Sequence, residues 1–305
     1  MKICAVIVTY NRLNKISKAL EHYDNLIEKF DKIIVVDNCS TDGTKQFLDN
    51  WNQKNTSYDK QIVHMSCNVG GSGGFYQGLK IAKEQDFDWI WLADDDAYPH
   101  EDVVLLLKKY ISCHNVETIS AICGAVYYDG GIDVSHRKTI YIKGLKICTQ
   151  LSDIGDYSKD EFNINAFSYV GTTINVNSLN KVGLTKKDYF IWFDDTEHSL
   201  RLSKVGDIVC LPCVKIFHDI GADSQYGLSW KDYYGERNKL DMYKSNFPIY
   251  IYIFTLVKMC IYMCFLYIKQ EKSYAFLIYD AIKDFKKGKF GIHQKYKPGW
   301  KPEKK

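Results

Sequence analysis

Trp89-Ile-Trp-Leu-Ala-Asp94-Asp95-Asp96-Ala-Tyr-Pro99 is the stretch on which the fold reading turns. The run from Trp89 to Ala93 is apolar throughout and has the length of a buried strand. Three consecutive aspartates follow, and Pro99 is expected to stop the hydrogen-bond ladder. Like charges this close repel, so a fold retains them where positive charge sits between them. Hard divalent cations such as Mg²⁺ or Mn²⁺ take carboxylate oxygen and often share their shell with phosphate. The bland alternative is a solvated acidic turn. The place at a strand's carboxyl end favours the cation, because open α/β sheets bind ligands just outside those ends.

Upstream, Lys2 to Val8 reads as a β-branched strand that turns off at Thr9-Tyr-Asn11-Arg12. Apolar spacing predicts an amphipathic helix from Leu13 to Phe30, then a strand from Lys32 to Val36. Asp37-Asn-Cys-Ser40-Thr-Asp42-Gly43 supplies an N-cap for a helix from Thr44 to Trp51. Strand and helix alternate, which predicts parallel pairing with right-handed crossovers. Asp37 ends its strand where it can accept a base or ribose hydrogen bond, or simply form the turn. After Ile62-Val-His-Met comes Asn68-Val-Gly70-Gly71-Ser72-Gly73-Gly74-Phe75, with a helix expected from Tyr76 to Gln85. The glycines permit close backbone approach to a ligand and leave amides pointing outward. They match neither a dinucleotide fingerprint nor a P-loop.

Downstream, a helix is expected from Glu101 to Tyr110 and a strand from Ile119 to Tyr128. Residues 129–162 read as an irregular excursion near the acceptor side. A strand follows from Ala166 to Ile174, then a short helix capped by Asn177-Ser178. The second chemical cluster is Trp192-Phe-Asp194-Asp195-Thr-Glu197-His-Ser-Leu-Arg201, with a helix opening near Thr196. Carboxylates at a helix start are stabilised in their ionised form. Glu197 and Arg201 have the i,i+4 spacing of an ordinary ion pair.

The order and spacing of Val8-Thr-Tyr-Asn-Arg12, Val35-Val-Asp37-Asn, Asn68 to Phe75 and Leu92-Ala-Asp-Asp-Asp-Ala97 resemble the family 2 inverting glycosyltransferases of the GT-A fold. The glycine-rich third motif is most similar to the bacterial galactofuranosyltransferase branch. The resemblance implies a Rossmann-like mixed α/β sheet flanked by helices. It implies that Thr9, Arg12, Asp37, Asn68, Gly73, Gly74, Asp94 and Asp95 meet a nucleotide-sugar donor. It implies that Asp94, Asp96 and His218 hold Mn²⁺ or Mg²⁺, although a lone strand histidine is usually structural. Asp195 would be the catalytic base, with Asp194, Glu197 and Trp192 on the acceptor. UDP-galactofuranose is the first donor expected and dTDP-rhamnose the second, for a lipid-linked glycan of a cell-surface polysaccharide. The rival readings are a nucleotidyltransferase, for which Thr9 to Leu13 lacks a basic glycine-rich loop, and a sugar-nucleotide-binding scaffold without chemistry.

The 305 residues carry a net charge of only +3, which gives nucleic-acid binding no compositional support. From Ile268 onward, eleven lysines face four acids, so this tail carries +7 and the remainder −4. No secretory signal is expected ahead of the first strand. The ten cysteines are irregularly spaced, which fits reduced thiols in the cytoplasm. Cys210-Leu-Pro-Cys213 has half-zinc-site spacing without a second pair, so a strand with free thiols is expected.

A catalytic domain is expected over 1–228 and a helical region over 229–305. In the latter, Arg237 of Tyr233-Tyr-Gly-Glu-Arg237-Asn238 suits either a phosphate or a structural ion pair. The apolar run 248–268 approaches the ~20 residues of a membrane span. Its Lys258 would cost about 2.5–3.5 kcal/mol at the bilayer centre. An in-plane helix on the inner membrane surface is therefore expected first, a buried homo-oligomer or domain contact second, and a true span third. The basic tail would add attraction to anionic lipid.

Overall fold

A computed structural model of the chain describes residues 1–220 and 227–302. The first half alternates as read: β1 (Ile3–Thr9), α1 (Leu13–Asp24), β2 (Lys32–Asp37), α2 (Thr44–Gln53), β3 (Asp59–His64), α3 (Gly70–Lys83) and β4 (Trp89–Asp94). Then come β5 (Ala97–Pro99), α4 (Val103–Cys113), β6 (Ile119–Tyr128), β7 (Gly131–Ile132), β8 (Arg137–Lys143) and β9 (Lys146–Leu151). The chain continues through β10 (Phe162–Ile164), β11 (Ala166–Phe167), β12 (Thr172–Asn175), α5 (Val176–Val182), α6 (Asp194–Leu202) and β13 (Asp207–His218). It closes with α7 (Trp230–Asn246), α8 (Ile249–Ile268) and α9 (Lys272–Lys286).

One mixed sheet runs in the order β10-β13-β6-β12-β4-β1-β2-β3, with β5 on β13 and β7 on β6. β1 pairs in parallel with both β2 and β4, whereas β12 lies antiparallel between β4 and β6. Every residue of β1 is buried, because helices cover both faces of the sheet. Thr9, Asp37 and Asp94 therefore emerge together at the carboxyl edge, Thr9 opposite Asp37 and Asp94 opposite Val8.

Several boundaries differ from the sequence reading. α1 stops at Asp24, and Leu26 and Phe30 fill the core from the following loop. Pro99 ends its strand as expected, although β4 itself already stops at Asp94. Pro99 closes β5, opposite Ile216 of β13. α3 begins at Gly70, six residues before Tyr76, so the glycines form its first turns. The excursion over 129–162 contains the β8–β9 hairpin, which joins β11 in a separate three-stranded sheet. The strand expected over Ala166–Ile174 is broken between β11 and β12, with Gly171 at φ +67°. Cys210 and Cys213 both lie on β13 as free thiols.

α7 and α9 pack against the catalytic half through Phe190, Tyr233, Tyr234, Leu277 and Tyr296. α8 instead turns a stripe outward: Ile249, Ile253, Val257, Ile261, Phe265 and Ile268 are each at least half exposed. These positions recur at helical spacing, so they share one face.

Candidate active site

Two cavities meet at the carboxyl edge of the sheet. The smaller, about 290 Å³, is lined by Thr9, Arg12, Asn38, Asn68, Asp94 and Asp95, with Trp230, Lys231 and Pro298 closing it from the C-terminal region. The larger, about 560 Å³, is lined by Ser72, Asp94, Tyr169, Trp192, Asp194 and Asp195 and by Glu236 and Lys239 of α7. Gly71, Asp94 and Ile191 belong to both, so the two form one cleft with Asp94 at the seam.

The acidic triplet is held by the first turn of the chain. Thr9 Oγ1 donates to Asp95 Oδ2 at 2.7 Å, and Arg12 Nη1 bridges Asp95 at 3.0 Å and Asp96 at 2.7 Å. Asp96 Oδ1 lies 3.3 Å from His218 Nε2 at the end of β13. Burial pushes the Asp94 carboxyl up to about 7, with repulsion from Asp96 and Asp95 adding to it. Burial likewise lifts Asp95 to about 6 against the pull of Arg12. For Asp96, burial is outweighed by His218 and Arg12, which hold its carboxyl below the ordinary range. The reciprocal effect raises His218 despite its burial.

This donor set suits a hard cation in kind: two carboxylates and one imidazole. Among the described residues His218 Nδ1 is buried without a hydrogen-bond partner, and burial beside Asp95 and Asp96 makes Asp94 hard to ionise without added positive charge. Among the described residues, however, no three acidic, histidine or cysteine side chains already surround a common point. Arg12 and His218 occupy the oxygens of Asp96, so ligation by Asp96 requires those contacts to open.

Three expected donor contacts find other duties. Gly73 and Gly74 face inward: a Cβ on Gly73 would stand 2.5 Å from Val69 Cγ2, and one on Gly74 would stand 2.6 Å from Val8 Cγ1. Gly74 lets α3 press onto β1 and Gly73 makes room for Val69; neither lines the cleft, whereas Gly70 and Gly71 do. Asp37 is buried and outside the cavity lining. Its oxygens accept from the Ser40 amide at 2.9 Å and meet His64 Nδ1 at 2.8 Å. Asn38, one residue on, reaches the smaller cavity and binds Asn68 Oδ1 and the Gly70 carbonyl.

The second acidic cluster sits at the start of α6, which opens at Asp194 and not at Thr196. The segment leading into it is bent: Phe190, Trp192 and Phe193 all have φ near +70°. Non-glycine residues adopt such angles at a cost of about 1–3 kcal/mol each, and only where the surroundings enforce them. α7 does the enforcing. Asn238 Nδ2 lies 3.0 Å from the carbonyls of Tyr189, Ile191 and Trp192. Buried Arg237 donates to the carbonyls of Asp188, Tyr189 and Gly291, which resolves its role as structural. Gly235 lets Trp192 pass, since a Cβ there would stand 2.9 Å from its ring. On the opposite wall, buried Arg137 donates to the carbonyls of Gly124, Val170 and Gly171, fixing the break between β11 and β12. Arg137 carries no motif, and the Tyr233–Asn238 stretch singled out in the sequence gives no hint of the carbonyls its arginine and asparagine meet.

The adjacent acids differ. Asp194 is buried, and that burial together with its neighbour Asp195 pushes its carboxyl up to about 8. It keeps its proton near neutrality. Asp195 is half-buried and lines the cavity, with Oδ1 accepting from the Thr196 amide and hydroxyl. Glu197 does not reach the acceptor side. It is fully buried, with Arg201 Nε 3.0 Å and Nη2 2.8 Å from its carboxylate.

A mixed sheet with acidic clusters converging on its carboxyl edge defines the nucleotide-diphospho-sugar transferase architecture. The family model for glycosyl transferase family 2 matches residues 4–174, and the chain belongs to that family. It is 27% identical over 209 residues to the galactofuranosyltransferase GlfT1 of Mycolicibacterium smegmatis, covering 67% of this chain and 66% of that one. To the dTDP-rhamnosyl transferase RfbF of Shigella flexneri it is 29% identical over 230 residues, covering 73% and 70%. The chain thus spans just under two thirds of the length of GlfT1. Among solved structures, the mannosyltransferase PcManGT of Pyrobaculum calidifontis, in complex with GDP-Man and Mn²⁺, superposes with TM-score 0.57 at 15% identity, over 80% of this chain and 63% of that one. S. aureus TarS 1-349 with UDP-GlcNAc gives TM-score 0.55 at 17% identity, over 81% and 67%. These likenesses establish the GT-A fold.

Proposed function

We propose that the chain is an inverting glycosyltransferase that moves galactofuranose from UDP-galactofuranose onto a lipid-linked glycan of a cell-surface polysaccharide. Rhamnose from dTDP-rhamnose is the second donor, supported by the similarity to RfbF. The observation that carries this reading is the single cleft in which Asp94 joins the compartment of Thr9, Arg12 and Asn68 to that of Asp195.

In this reading the nucleotide lies in the smaller cavity and the reacting sugar near Asp94. Asp94, Asp96 and His218 would hold Mn²⁺ or Mg²⁺, which when bound neutralises charge developing on the departing diphosphate. Asp195 takes the proton of the acceptor hydroxyl as that oxygen bonds to the anomeric carbon. The bond from that carbon to the diphosphate breaks on the opposite face, and the nucleoside diphosphate leaves. Protonated Asp194 makes a poor base and a good hydrogen-bond donor, so it orients the acceptor or its neighbour. Trp192, exposed and at the cavity wall, offers a ring for a sugar face.

Residues 229–305 serve as the acceptor- and membrane-facing part of the chain. The outward apolar stripe of α8 supports an in-plane helix at the cytoplasmic membrane surface, with the lysines of α9 and its successors toward anionic lipid. The last residues of the basic tail, 303–305, lie outside the described residues.

Hydrolysis of UDP-galactofuranose and dTDP-rhamnose by the full chain, with Mn²⁺ and with EDTA, tests the reading. Release of UDP in Mn²⁺ at a rate well above that of dTDP supports it. Hydrolysis of neither donor would remove the enzymatic reading in favour of a binding scaffold.

A further inference from the structure

A second groove, about 430 Å³, opens between the tip of the β8–β9 hairpin, α7 and α8. It is continuous with the active cleft, because Glu236 and Lys239 of α7 line both. Its walls divide by chemistry. Lys146, Lys239 and Lys258 supply positive charge, while Phe254, Met259 and Tyr262 of α8 supply an apolar flank. Lys239 is paired with Glu236 at 2.6 Å, which leaves the charge of Lys146 and Lys258 uncompensated within the groove. Lys258 is the one charge in an otherwise apolar helix, and it lines the groove one turn before Ile261 of the exposed stripe.

We propose that this groove seats the phosphate and the first stretch of hydrocarbon of the lipid-linked acceptor, a deepening that rests on the transferase reading above. The glycan end then lies in the cavity of Asp195. The phosphate meets Lys239, Lys146 and Lys258, and the hydrocarbon runs past Tyr262 onto the exposed stripe of α8. An amphiphile of this order (sugar, phosphate, hydrocarbon) matches the order of acid, lysine and apolar surfaces along the path. The volume suits a phosphate with a short stretch of chain, within the ~300–1,000 Å³ of ordinary ligand sites. The remainder of the lipid stays in the bilayer against which α8 rests.

The test uses the full chain and three probes: farnesyl phosphate, farnesol and inorganic phosphate, titrated by calorimetry. Farnesyl phosphate should bind at least about tenfold more tightly than either of the others. Lys146→Glu and Lys258→Glu should each weaken it about tenfold or more, since each turns a charge-assisted contact into a repulsive one. Both positions are exposed, and unchanged melting temperatures confirm intact folding. Equal binding of farnesol would reduce the groove to a greasy patch, and equal binding of phosphate would reduce it to an anion site. Either result, or indifference to both charge reversals, overturns the proposal. Donor hydrolysis by the wild-type chain is read separately, so failure of the transferase reading shows there while the groove stands or falls on the probes.

Discussion

On the donor side of the cleft, Thr9, Asn38 and Asp94 stand at or just beyond the ends of β1, β2 and β4, strands buried on both faces. On the acceptor side, Trp192, Asp194 and Asp195 follow a segment with three left-handed non-glycine residues. The donor side is shaped by apolar packing so tight that Gly74 touches Val8. The acceptor side is shaped by hydrogen bonds from Asn238, Arg237 and Arg137 to loop carbonyls. The difference teaches that one cleft is built from two kinds of rigidity. Regular elements fix the compartment proposed for the nucleotide. A tethered loop fixes the compartment proposed for the acceptor.

The largest expected effect falls on chemistry. Asp195→Asn keeps the shape of the acceptor wall but removes the proton acceptor, so transfer should fall by ~10²–10⁴. Steady-state transfer rates check it; a loss below tenfold would move the base elsewhere.

Next comes a paired substitution that separates the two kinds of rigidity. Asn238→Ala strips the amide that three carbonyls share, and unmet buried carbonyls cost about 1–3 kcal/mol. Gly74→Ala overpacks α3 against β1, at about 1–3 kcal/mol. Denaturant unfolding should show similar losses for both, yet kcat should drop for Asn238→Ala alone. Equal kcat in the two variants would dissolve the comparison.

The smallest effect concerns pH. His198 is buried behind the acceptor wall, accepting from the Tyr169 hydroxyl at 2.7 Å and donating to the Gly183 carbonyl at 3.1 Å. Burial, with Arg201 nearby, lowers it to about 3. The unfolded chain takes up a proton near pH 6.5 and the folded one does not, so stability falls as pH drops from ~6.5 toward ~3. The slope from this group reaches about 1.4 kcal/mol per pH unit. Asp194, raised to about 8, contributes in the opposite sense. The comparison with His198→Asn isolates the histidine: the stability gap between wild type and variant should narrow as pH falls below 6.5. A constant gap would contradict the neutral buried imidazole.

The same division governed what the sequence disclosed. Long apolar strands and 3.6-residue spacing made β1, β2, β4 and β6 legible, and with them the carboxyl edge that carries Thr9, Arg12, Asp94 and Asp96. Asp195 was legible through its motif. The direction in which Gly73 and Gly74 face was not, because a glycine fits both a ligand and a packed strand. Glu197 read ambiguously for the reason its i,i+4 spacing gave, and burial decided for Arg201. The bent segment at Phe190 to Phe193 was invisible, since its cause, Asn238, lies 46 residues beyond Trp192. The β8–β9 hairpin hid in alternations too short to stand out.

The central claim is that, within one cleft, Asp94 at the seam serves the nucleotide and Asp195 serves the acceptor. Calorimetric titration of UDP, with and without Mn²⁺, into Asp94→Asn and Asp195→Asn tests it most directly. Asp195→Asn should bind UDP within about twofold of wild type, whereas Asp94→Asn should bind about tenfold or more weakly and lose its response to Mn²⁺. Equal affinities in the two variants, whether both intact or both lost, would contradict the account.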